Sequence, residues 1–74
     1  MFEQIKSILQ EYVDVPEEQI TPELRFMNDL SMTSLDIMAM IGQIEDELDV
    51  VIETKDLTHI FTVQDLMDYL NTLK

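Results

Sequence analysis

Cysteine is absent, so neither a disulfide nor a thiolate zinc site can staple this 74-residue chain. Tryptophan is absent too, and Gly42 is the single glycine, which argues against a β-rich fold built on tight turns. Positive charge is scarce. Lys6, Arg25, Lys55 and Lys74 stand against sixteen acids, a formal net charge of −12. Phosphate backbones and anionic lipid surfaces repel such a surface, so neither nucleic acid nor a membrane is expected as a partner. Long apolar runs are missing, since the longest fall far below the ~18 residues of a membrane span. The opening Met1-Phe2-Glu3-Gln4-Ile5-Lys6 has neither a basic region nor an apolar stretch of signal-peptide type. With the lack of cysteine, this points to the cytoplasm.

The hydrophobic content, 46%, is enough for one small apolar core, and residues 1–74 read as a single domain. A chain of this size buries only about 60% of the surface that its unfolded form exposes. Phe2, Ile5, Ile8, Leu9, Tyr12 and Val13 recur at helical spacing and predict a first helix over about 2–14. Val15-Pro16 should end it, because a residue before proline is pushed out of the helical region. Residues 15–33 form a long connection with Pro16, Pro22 and Asn28, but also Val15, Ile20, Leu24, Phe26 and Leu30. A structureless loop of that length is uncommon. Its apolar residues imply that it is pinned across the core, and Thr21-Pro22-Glu23 suits a single helical turn.

Thr33 is a good N-cap, with Asp36 at the capping-box position, so a second helix is predicted from Ser34 to Leu48. Ile37, Met40, Ile41, Ile44 and Leu48 share its inward arc, while Leu35, Ala39, Gly42 and Asp46 lie opposite. Val50-Val51-Ile52 reads as an extended linker with Ile52 turned inward. A short third helix is predicted over Thr54–Ile60, carrying Leu57 and Ile60 inward. Thr62, with Asp65, then caps a fourth, whose Val63, Leu66, Met67, Leu70 and Leu73 share one arc to the end of the chain. The expected fold is all-α: a small four-helix bundle of three longer helices and one short one, with a long loop between the first two.

Catalytic equipment is not evident. His59 is the only histidine, and a Ser34–His59 triad would further need close geometry and an oxyanion hole. The acids Glu45, Asp46, Glu47, Asp49, Glu53 and Asp56 lack the alternating ligands and central glycine of an EF-hand, so no metal site is expected. What remains is Ser34, a serine on the first turn of a helix with an acidic outer face. That placement suits a residue modified by another enzyme better than a nucleophile.

Several segments carry a family resemblance in their order and spacing. They are Phe26-x-x-Asp29-Leu30, Ser34-Leu35-Asp36, Ile44-Glu45-Asp46-Glu47-Leu48-Asp49, Ile52, Thr62-Val63-Gln64-Asp65 and Asp68-Tyr69-Leu70. Together they span nearly the whole chain and resemble the acyl carrier proteins. The family's usual motif is Gly-x-Asp-Ser-Leu. Here Ser31 stands where the glycine is usual and Thr33 where the aspartate is usual. Threonine caps a helix only a few tenths of a kcal/mol less well than aspartate, but a negative charge beside the serine is lost.

The resemblance implies a non-enzymatic carrier. Ser34 would bear a covalent 4′-phosphopantetheine arm, installed from coenzyme A by a phosphopantetheinyl transferase. The arm would hold acyl intermediates of fatty acid or polyketide-type biosynthesis as thioesters. Leu35, Asp36, Met38, Glu45, Asp46 and Glu47 would form a docking face for acyl-transfer, condensing and other synthase enzymes with basic surfaces. Read from the residues alone, the same acids are a solvated helix face, since isolated surface charges do little. Met40, Ile41, Ile44, Ile52, Leu57, Ile60, Met67 and Leu70 would pack the core and, by the resemblance, admit an acyl chain. The carrier is expected to be a monomer. Two alternatives stay open: a carrier of aminoacyl or peptidyl groups, and an acidic helical interaction domain without a prosthetic group.

Overall fold

A computed structural model describes residues 1–73. Helix α1 spans Phe2–Leu9, α2 spans Ser34–Leu48 and α3 spans Val63–Thr72. Two 3₁₀ segments, Glu17–Gln19 and Thr54–His59, lie between them. No strand occurs among the described residues, so the all-α bundle holds, with its short third helix in 3₁₀ form.

The first helix is shorter than predicted. Its arc of apolar residues continues through Tyr12 and Val13, but regular α-helix stops at Leu9. Beyond it the chain tightens: Glu11 N–H donates to the Ile8 carbonyl (3.0 Å) and Tyr12 N–H to that of Leu9 (2.9 Å). Val13, Asp14 and Val15 are poor helix formers and offer nothing to extend it. Lys6 then ties the helix to the 3₁₀ segment at Glu17. Its ammonium lies 2.7 Å from Glu3, 3.2 Å from Glu17 and 4.7 Å from the Phe2 ring centre. These contacts raise the Lys6 pKa and lower that of Glu3, each mainly through the hydrogen bond between them.

The long connection is pinned, as its composition implies. Ile20, Phe26, Leu30 and Met32 are buried. The helical turn falls at Glu17–Gln19, just after Pro16, rather than at Thr21–Glu23, where the chain makes an ordinary turn. The loop is also sewn to the start of α3. Phe26 N–H donates to the Phe61 carbonyl (3.0 Å), Val63 N–H to Leu24 (3.0 Å) and Gln64 N–H to Pro22 (2.8 Å). Buried backbone needs such partners, and these bonds supply them without a sheet.

Both capping boxes form. Thr33 Oγ1 accepts from Asp36 N–H (3.2 Å), and Asp36 Oδ2 accepts from Thr33 N–H (3.1 Å). Thr62 and Asp65 repeat the arrangement at α3, where Asp65 Oδ2 also accepts from Phe61 N–H (3.0 Å). Helix α2 ends at Asp49, whose φ of 54° breaks the helical path. Ile5, Ile8 and Leu9 of α1, Met40, Ile41 and Ile44 of α2, and Val63, Leu66 and Leu70 of α3 meet in one core, joined by the buried loop residues and Ile52.

Candidate functional site

Ser34 is the first residue of α2 and is exposed. The chain reaches it through a left-handed residue, Ser31, with φ 56°. That conformation is natural for glycine and costs a side-chain-bearing residue energy. It accounts for the sense of the glycine in the family motif. Met32 then buries its side chain and donates its N–H to the Phe26 carbonyl (3.1 Å). The turn before it is closed by Asp29, whose Oδ2 accepts from Arg25 N–H (2.8 Å) and lies 3.7 Å from the Arg25 guanidinium. So the buried loop fixes where α2 begins. The Thr33 hydroxyl is committed to the cap, whereas Ser34 projects from the first turn.

Beside Ser34 lies an open groove of about 920 Å³. Ser34, Ile37 and Met38 line it from α2, Phe26 and Met27 from the loop, and Leu57, Ile60 and Phe61 from the 3₁₀ segment and the residues after it. Met27, Met38 and Phe61 stay 52%, 47% and 62% exposed around it.

The expected site residues divide. Leu35 is 82% exposed, and Met38 shares the surface around Ser34. Asp46 and Glu47 are exposed further along α2, with Glu47 Oε2 accepting from the Gln43 amide (2.9 Å). Two of the acids have structural employment instead. Asp36 completes the cap, and Glu45 turns inward, where its Oε2 accepts from the N–H of buried Ile52 (2.8 Å). The last turn of α2 is rich in acid and holds no basic residue, although a helix C-terminus is already negative. That end of α2 is therefore a concentrated negative surface.

The eight residues expected to admit an acyl chain are not brought into one cavity. Leu57 and Ile60 line the groove. Met40, Ile41, Ile44, Ile52 and Leu70 are closed within the core, and Met67 packs against it from α3. Sequence reasoning missed Met27 and Phe61. Phe61 lies just before the Thr62 cap, outside the inward arc of either neighbouring helix, so periodicity assigns it no face.

A group attached at Ser34 finds a suitable setting. A phosphodiester there would meet the unpaired N–H groups of the first helical turn and the positive end of the dipole. An arm extending from it would have an apolar groove alongside.

A family model described as the phosphopantetheine attachment site matches residues 3–70. The acyl carrier protein of Syntrophus aciditrophicus (strain SB) is 41% identical over 68 residues, 92% of this chain and 85% of that one. The structure of an acyl carrier protein from Enterococcus faecalis aligns over 99% of this chain and 92% of its own, with a TM-score of 0.84 and 26% identity. A protein from Mycobacterium tuberculosis assigned as an acyl carrier aligns over 96% and 95%, with a TM-score of 0.86 and 28% identity. This chain belongs to the acyl carrier protein family, whose prosthetic group is phosphopantetheine.

Proposed function

We propose that Ser34 is the attachment residue and that the chain is a non-enzymatic carrier in fatty acid or polyketide-type biosynthesis. The observation that carries this reading is an exposed serine at the head of a capped helix, next to a committed Thr33 hydroxyl and an apolar groove. Bound, the arm supplies a thiol that holds an acyl group as a thioester. The chain's own residues do the rest. Thr33 and Asp36 hold the first turn of α2 in place, so that Ser34 is presented to a transferase. The helix end stabilises negative charge at the serine.

Leu35 and Met38 offer apolar contact beside the serine, and Asp46 and Glu47 offer charge further along the same helix. A basic synthase surface is steered toward that end, which favours fast, brief encounters. A phosphopantetheinyl transferase and acyl-transfer and condensing enzymes are the partners that this arrangement suits. The cytoplasm is the fitting location. Among the described residues no helix is long and apolar enough to cross a membrane.

Incubation with coenzyme A and a phosphopantetheinyl transferase tests the reading. Wild-type protein should gain the arm and Ser34→Ala should not. Modification of Ser34→Ala would sink the assignment.

A further inference from the structure

Positive charge is scarce in this chain, and the fold uses it unequally. Lys6 is held between Glu3 and Glu17. Lys55 lies 3.3 Å from Glu53. Arg25, the only arginine in the sequence, is less committed. Its Nε is 3.7 Å from Asp29 Oδ2, an oxygen that already accepts the Arg25 backbone N–H at 2.8 Å. The guanidinium therefore keeps donors to spare, on a side chain that is 57% exposed. Its root, by contrast, is fixed. The Arg25 carbonyl accepts from Asp29 N–H (2.9 Å) and Leu30 N–H (3.2 Å). The next residue, buried Phe26, donates its N–H to the Phe61 carbonyl.

Arg25 and Ser34 line the same space at the head of α2. Asp65 is the other charged residue lining it among the described residues, and its Oδ2 is occupied by the N–H groups of Phe61 and Thr62. Resting on the reading of Ser34 as the attachment residue, we infer that Arg25 positions the arm: its guanidinium pairs with the phosphodiester that joins the arm to Ser34. The chemistry matches. A phosphodiester is an anion at neutral pH, and a guanidinium offers its free oxygens parallel, charge-assisted N–H donors. The Asp29 carboxylate competes weakly, because the oxygen nearest the guanidinium serves the backbone. Thr33 in place of the family's usual aspartate leaves no carboxylate beside the serine to compete at all. The N–H groups of the first turn of α2 meet the phosphate from the helix side, and Arg25 meets it from the loop side. That two-sided hold sets the direction in which the arm leaves the serine, within a surface whose other charges are mostly negative.

A single arginine makes the test direct. Isotope-labelled protein is modified from coenzyme A by a transferase, and intact mass establishes that the arm is present. The Arg25 Nε–H resonance is compared before and after modification. The phosphorus NMR resonance of the phosphodiester is then read in wild type, Arg25→Gln and Arg25→Lys. Modification should move the Nε–H resonance and slow its exchange with water roughly two- to fivefold, the scale of an exposed ion pair. The phosphorus resonance should shift in Arg25→Gln and return toward the wild-type position in Arg25→Lys. Both effects should fade at high salt. An Nε–H resonance with unchanged position and exchange rate would overturn the inference, and so would identical phosphorus resonances in wild type and Arg25→Gln. A failure to gain mass would overturn the reading of Ser34 and this inference with it.

Discussion

The Tyr69 hydroxyl donates to Asp56 Oδ2 at 2.8 Å, tying the Thr54–His59 segment to α3. The Tyr69 hydroxyl oxygen in turn accepts from Glu53 N–H at 3.4 Å. That segment buries no residue fully, yet it forms one wall of the groove beside Ser34. The Tyr69 side chain therefore restrains this wall of the site together with the packing of Leu57 against the core. Tyr69→Phe should lower stability by about 1 kcal/mol, the usual net worth of a lost hydrogen bond. Hydrogen exchange should quicken across residues 54–59 before it does so in α2, and a uniform change would count against the latch.

Alkaline pH should have a related effect. Donation to the Asp56 carboxylate, then desolvation, raises the Tyr69 pKa above its ordinary value. The folded state thus favours the protonated hydroxyl. The stability it contributes is present below the unfolded pKa, about 10, and lost as pH rises through the higher folded value. Titrating wild type and Tyr69→Phe from pH 9 to 12 should show the wild-type advantage shrinking. An advantage that grows with pH would show the sign to be wrong.

Ser31 holds a left-handed conformation that a side chain disfavours. Ser31→Gly should relieve it and raise stability by up to about 1 kcal/mol, partly offset by the extra entropy of the unfolded glycine. Ser31→Val should be destabilising by more than that. Denaturant midpoints for the two variants decide the matter, and equal midpoints would remove the strain argument.

Glu45 and Asp46 are neighbours in sequence with different duties. Glu45→Ala leaves the N–H of Ile52 without its acceptor and should cost about 1–3 kcal/mol. Asp46→Ala, at an exposed site, should change stability by less than about 0.5 kcal/mol. It should instead slow association with a basic partner, most clearly at low salt. Thermal melts and association kinetics separate the two roles, and equal stability losses would refute the division.

Much of this arrangement is legible in the residues. The Thr33–Asp36 and Thr62–Asp65 spacings mark the starts of α2 and α3, because a cap needs only local geometry. The inward arc of α2 is also local. Spacing alone makes α1 too long, because apolar residues persist through Tyr12 and Val13 after the α-helix has given way at Leu9 to a tighter, mixed turn. The groove is not legible, since it joins Phe26 and Met27 to Met38 and Phe61 across three separate segments. Nor is the inward turn of Glu45. Helical position puts it at the edge of the outer face, but its long side chain reaches back to the linker.

The central claim is that Ser34 carries the arm, and the direct measurement is fragmentation mass spectrometry of protein modified from coenzyme A. The hydroxyls of Ser31, Thr33 and Ser34 lie close in sequence, so the position must be mapped and not assumed. The account predicts the phosphopantetheine mass on Ser34 alone. The same mass on Ser31 or Thr33, or none on any of the three, would contradict it.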